Sequence, residues 1–123
     1  MRYRVKGREI RTENTAKPAS QASARAQRII RSLSVTGVVC DLGCGKLRYS
    51  TQLAEEAGRV VLVDSMQQLR RKQVIHGVTT TVEEFAATKM ANASVLTVDE
   101  FMAVRGEFDF VFCSNVLSAI PSA

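Results

Sequence analysis

Two short stretches of this chain could hold a nucleotide. The first is Asp41-Leu42-Gly43-Cys44-Gly45, which follows the apolar run Val38-Val39-Cys40. The second is Asp64, which ends the apolar run Val60-Val61-Leu62-Val63 about 20 residues later. A glycine turn after a strand lets backbone approach a ligand closely. A carboxylate at the end of the neighbouring strand can accept hydrogen bonds from both hydroxyls of a ribose.

Which nucleotide follows from what the turn lacks. A Walker A loop needs glycine six positions before its lysine and Ser or Thr after it. Cys40 occupies that position relative to Lys46, and Leu47 follows. A dinucleotide fingerprint needs a third glycine for close helix packing, and Arg48 stands there instead. S-adenosylmethionine has no pyrophosphate to grip. It needs a backbone turn beside its methionine part, a carboxylate for its ribose and a polar group near its adenine amine.

These residues must be positioned by alternating strands and helices. Residues 38–41, 60–63, 94–98 and 108–113 read as four strands, each nearly continuous in apolar residues, as strands buried on both faces are. Helices are expected between them. One runs from Pro18 to about Leu33, with Ala22, Ala26, Ile29, Ile30 and Leu33 inward and Arg25, Arg28 and Arg31 outward. Others span about 48–57, closed by Gly58, and about 66–72. Thr81 and Glu84 are spaced as a capping box opening a further helix, and residues 99–104 form a short one. Phe108, Phe110 and Phe112, at period two, are expected to share one sheet face as core.

The order Asp41-Leu42-Gly43-Cys44-Gly45, Asp64, Asp99, then Phe108-Asp109-Phe110-Val111 with Asn115-Val116-Leu117 resembles the class I S-adenosylmethionine-dependent methyltransferases. The resemblance covers about residues 36–121. It implies an α/β architecture, a Rossmann-like doubly wound parallel sheet, truncated here after the fourth strand. It implies S-adenosylmethionine as cofactor, bound by Asp41, Gly43, Cys44, Gly45, Asp64, Ser65, Met66, Asp99 and Ser114. Asp41 would steer the methionine amino group and Asp64 the ribose. Ser65 and Met66 would flank the ribose and adenine, Asp99 would meet the adenine, and Ser114 would line the methyl side. The family usually carries glycine where Leu47 stands, so the turn after Lys46 must differ or the helix must begin earlier. No residue is assigned to catalysis, and the methyl acceptor is not written in the sequence. Methyl transfer mainly needs an aligned nucleophile, which explains a legible pocket without a legible catalytic group.

Composition sets the remaining bounds. The 123 residues are enough for one domain, with residues 1–17 as a basic arm and 18–123 as the core. No apolar run reaches the ~20 residues of a membrane span, and no apolar stretch follows the basic N-terminus as in a secretory signal. Three cysteines without a C-x-x-C pair, and one histidine, argue against a zinc site. They fit reduced thiols in the cytoplasm. The net charge of +5 comes from residues 1–31, which hold nine Lys and Arg against two Glu. Eight basic and ten acidic residues remain elsewhere. Such an arm could meet nucleic acid, but no aromatic stacking set beyond Tyr3 accompanies the charges, which favours a solvated tail plus the exposed face of a helix. Two rival functions therefore stand beside the enzyme: a non-catalytic cofactor-binding fragment, and a nucleic-acid-binding module led by the arm. If the fourth strand is an edge, it offers unpaired backbone groups through which two copies could dimerise.

Overall fold

The computed structural model describes residues 2–5, 8–11, 24–32, 37–104 and 108–113. In chain order the elements are β1 (Arg2–Val5), β2 (Arg8–Arg11), α1 (Ala24–Ser32), β3 (Val38–Leu42), α2 (Ser50–Glu56), β4 (Arg59–Asp64) and α3 (Met66–Arg70). Then follow β5 (Gln73–Ile75), β6 (Val78–Thr80), α4 (Val82–Lys89), β7 (Ala93–Thr97), α5 (Val98–Ala103) and β8 (Phe110–Phe112).

The fold is α/β, with a four-stranded parallel sheet in the order β7-β4-β3-β8. The chain moves outward from β3 to β4 to β7, then returns to the other side of β3 for β8. Right-handed crossovers require helices on opposite faces before and after such a reversal. The core divides that way. Val39, Val60 and Leu62 face Ile30 of α1, Leu53 of α2, Leu69 of α3 and Phe85 of α4. Cys40, Val61 and Val63 point to the other face, where Phe101 of α5 packs. Among the described residues that second face is thinly covered. A groove of about 320 Å³ remains there, lined by Val61, Leu96, Val104 and Phe108 among others.

Several sequence expectations change. The N-terminal residues, read as an arm without elements, include the antiparallel ribbon β1–β2, with Arg2 opposite Arg11 and Val5 opposite Arg8. Tyr3, Val5 and Ile10 alternate with charged residues there, a strand period. Helix α1 is described from Ala24, so the expected start at Pro18 lies outside the described residues. Helix α2 begins at Ser50 and not at Arg48, because Leu47 adopts a left-handed backbone. It is closed by Ala57 in an extended conformation; Gly58 instead donates to the Gly37 carbonyl at 3.1 Å. Residues 73–80 form a hairpin that sequence reading missed.

The capping signals exchange places. Thr81 accepts from the Glu84 N–H at 3.1 Å, but the Glu84 carboxylate takes a hydrogen bond from the Thr80 hydroxyl. The reciprocal capping box is at Thr97 and Glu100, with bonds of 3.1 and 3.0 Å. The three phenylalanines do not share a face. Phe110 and Phe112 pack into the first core, whereas Phe108, ahead of the strand, packs with Phe101 on the other. Asp109 fixes this entry. Its carboxylate accepts the Val38 N–H at 2.7 Å, and an alanine Cβ at Gly37 would lie 1.8 Å from that carboxylate. The Asn115-Val116-Leu117 part of the motif lies outside the described residues.

Candidate functional site

Strand parity places the two acids together. Residues 39 and 41 of β3 and 60, 62 and 64 of β4 share one face, at the strand ends where α2 and α3 begin. The reversal of strand order lies between β3 and β8. In open parallel sheets, ligands bind in the crevice outside the strand C-termini at such a reversal.

Asp41 is 3% exposed, and its Oδ2 accepts the Ser50 hydroxyl at 2.5 Å. Burial, with a further push from Asp64, raises its pKa to about 7, although the Ser50 bond opposes this. Asp64 is 4% exposed. Its Oδ2 accepts the Gly45 N–H at 2.9 Å, and its Oδ1 accepts the Ser65 N–H at 2.7 Å. A carboxylate oxygen can accept more than one hydrogen bond, so these bonds are compatible with a diol at the same group.

The turn between the acids is held by its own backbone. The Gly43 and Cys44 N–H groups both donate to the Val63 carbonyl, at 2.8 and 3.0 Å. Gly43, Gly45 and Leu47 have φ of 74°, 57° and 59°. Two of these are glycines, for which left-handed backbone carries no Cβ penalty. Leu47 is not. The turn therefore keeps a left-handed residue where the resembling family has glycine, and the helix begins later, not earlier. Leu47 is fully buried, its N–H bonds the Cys44 carbonyl, and its own carbonyl meets His76 Nε2 at 2.9 Å.

The remaining expected residues divide. Cys44 is buried in the turn, and burial pushes its thiol well above the ordinary range, so it behaves as a small apolar group. Burial likewise pushes Cys40 up to about 11. Ser65 uses its hydroxyl as the N-cap of α3, accepting the Gln68 N–H at 3.2 Å. Met66 is 53% exposed at the start of the same helix. Asp99 is exposed in the first turn of α5, where Thr97 is the cap. It stands two residues past Thr97, the register partner of Asp64. Ser114 lies outside the described residues.

Sequence reading missed Ser50, Tyr49 and the structural part of His76. Ser50 carried no signal beyond opening a helix after a glycine turn. Tyr49 packs edge-on against Phe112 at 5.4 Å and lies under the Arg48 guanidinium at 4.7 Å, closing the space between the turn and β8. His76-Gly77 between two β-rich triplets is a hairpin signature of the Asn-Gly kind, and it was available.

No protein-family model matches the chain. The chain is similar to a protein of Escherichia coli (strain K12) named "Uncharacterized protein YmfD". The two are 39% identical over 121 residues, which is 98% of this chain and 55% of the relative. The chain thus spans about half the length of the curated relative it matches. No described helix is long and apolar enough to cross a membrane.

Proposed function

We propose that this chain carries the S-adenosylmethionine-binding part of a methyltransferase related to the class I enzymes, built on a Rossmann-like doubly wound sheet. One observation carries the reading. Two buried acids, Asp41 and Asp64, end adjacent parallel strands on one face and flank a turn with three left-handed residues at the reversal of strand order.

The donor set fits that cofactor. A buried carboxyl with a pKa raised to about 7 lacks a compensating charge, and the α-ammonium of the methionine part would supply one. Asp64, in reach of the turn's backbone, suits a ribose diol. When bound, the cofactor supplies a methyl group already activated by its sulfonium. The chain's own part is to orient. Asp41 would hold the ammonium, with Ser50 fixing its carboxylate, and Asp64 would hold the ribose while bracing Gly45. Tyr49 and Phe112 would exclude water between the turn and β8. No acceptor or catalytic residue is assigned.

Calorimetry with S-adenosylhomocysteine should show binding in the micromolar range, while NAD binds at least about tenfold more weakly, for want of the third glycine. Absence of S-adenosylhomocysteine binding, or tighter NAD binding, would overturn the cofactor assignment.

Partners follow from two surfaces. Arg25, Arg28 and Arg31 are exposed on α1, with no acidic residue in its first turn, which supports contact with a nucleic acid. Val111 in β8 is 50% exposed, which supports pairing of that strand with another chain or with further sequence of a longer protein. We therefore expect the 123-residue chain to dimerise and to transfer methyl groups poorly. Light scattering that shows a monomer at micromolar concentration would remove the edge pairing. The buried Cys40 and Cys44 thiols support a cytoplasmic setting.

A further inference from the structure

We propose that His76 is a positioning residue, which from the β5–β6 turn holds the Leu47 carbonyl and so fixes the left-handed end of the ligand turn. The inference rests on the cofactor reading only for its effect on affinity; its effect on the turn stands by itself.

The turn from Gly43 to Ser50 needs such a support at one residue. Of its three left-handed residues, only Leu47 has a Cβ to crowd the following carbonyl. The Leu47 side chain is fully buried, so it cannot swing out to relieve that crowding. Its N–H is fixed by the Cys44 carbonyl at 3.0 Å. The remaining polar group is its carbonyl, and His76 Nε2 lies 2.9 Å from it. A carbonyl only accepts, so Nε2 must carry the proton.

His76 is itself prepared for this task. Its φ is 48° and that of Gly77 is 78°, the two central residues of a tight hairpin turn between β5 and β6. Its ring stacks on Phe85 of α4, with centroids 5.5 Å apart and planes at 22°. Hairpin and helix together therefore aim the ring at Leu47.

The consequence reaches the acids. Three residues after Leu47, Ser50 opens α2 and donates to Asp41. If the Leu47 carbonyl is released, residue 47 relaxes toward ordinary backbone. The start of α2 then turns, and Ser50 moves off Asp41. His76 would thereby govern ligand affinity without touching ligand.

The test uses the full chain and two variants. His76→Asn keeps a residue that tolerates left-handed backbone, so the hairpin turn survives, but its amide is too short to reach the Leu47 carbonyl. His76→Gln restores an amide donor near the reach of Nε2. In the wild type, nitrogen NMR should show Nε2 protonated and Nδ1 bare in neutral His76. In His76→Asn, amide exchange at Gly45 and Leu47 should speed up about tenfold, the weight of one hydrogen bond, while residues 60–63 exchange as before. Affinity for S-adenosylhomocysteine should fall by about five- to tenfold. His76→Gln should recover most of both. Unchanged exchange at Gly45 and Leu47 in His76→Asn, or an equal increase throughout the sheet, overturns the proposal. Faster exchange confined to the turn in a protein whose wild type binds no S-adenosylhomocysteine upholds it and overturns the cofactor reading alone.

Discussion

At pH 8, Asp41→Asn should melt at a higher temperature than the wild type and bind S-adenosylhomocysteine far more weakly. Asp41 is buried, the Ser50 hydroxyl of α2 donates to it, and the charge of Asp64 at the end of β4 acts on it. Its pKa rises from 3.8 to about 7 on folding. The folded state then holds a proton that the unfolded chain has released. Stability from this group is fully present below pH 3.8 and is lost progressively as pH rises to about 7. At ~1.4 kcal/mol per pH unit the full window is worth at most roughly 4 kcal/mol. An asparagine keeps an acceptor for Ser50 and never ionises, but its own N–H groups must find partners. A net gain of about 1–3 kcal/mol is expected at pH 8, fading toward pH 4. Thermal melts across this range check it, and a variant less stable at pH 8 would contradict the burial argument. Binding should move oppositely. Losing a charge-assisted bond to an ammonium costs about 1.5–3 kcal/mol, or roughly 10- to 100-fold in affinity. Wild-type affinity should rise from pH 6 to pH 8, with proton release visible as a buffer-dependent binding enthalpy. Stabilisation together with lost binding marks a group kept for its ligand at the expense of the fold.

The parallel sheet was legible because its strands are apolar on both faces. Val38-Val39-Cys40 and Val60-Val61-Leu62-Val63 can only be covered from two sides, and the structure covers them so. What escaped was set by single backbone conformations. The hairpin at 73–80 has strands of three residues, too short to show a period, and its signal lies in His76-Gly77 alone. Phe108 fits the alternation of Phe110 and Phe112 by spacing, yet it precedes the strand and turns to the opposite face.

The site divides along the same line. Asp41, Gly43, Gly45 and Asp64 were readable as residue types at fixed distances from strand ends, and the structure gathers them. Ser65 and Asp99 carry local roles a helix start already explains, as cap and first-turn acid. Ser50 and His76 act through contacts spanning nine and 29 residues, respectively, along the chain. No period or motif encodes such contacts; they exist only once Leu47 has bent the turn.

Asp64→Ala should weaken S-adenosylhomocysteine binding by about 100-fold while leaving the sheet folded. The side chain acts on both sides of the pocket. Toward the protein, it accepts the Gly45 and Ser65 N–H groups, and an alanine leaves the buried Gly45 N–H without that acceptor. That costs about 1–3 kcal/mol and loosens the turn. Toward the ligand, two ribose hydroxyls lose their acceptor, at a further 1–3 kcal/mol or so. The two losses act on one geometry and do not simply add, so an affinity drop of about 100-fold is expected. Asp64→Ala also removes the charge that pushes Asp41 upward, so the pH midpoint of any residual binding should fall. A control separates stability from binding. Asn92→Ala removes the hydrogen bond from the Asn92 amide to the Ala54 carbonyl, at about 1 kcal/mol, and no residue of the proposed ligand set lies there. It should lower the melting temperature without changing affinity. Equal affinity of wild type and Asp64→Ala would remove Asp64 from the site. A loss in Asn92→Ala as large as in Asp64→Ala would show that the ligand reports global stability and not the carboxylate.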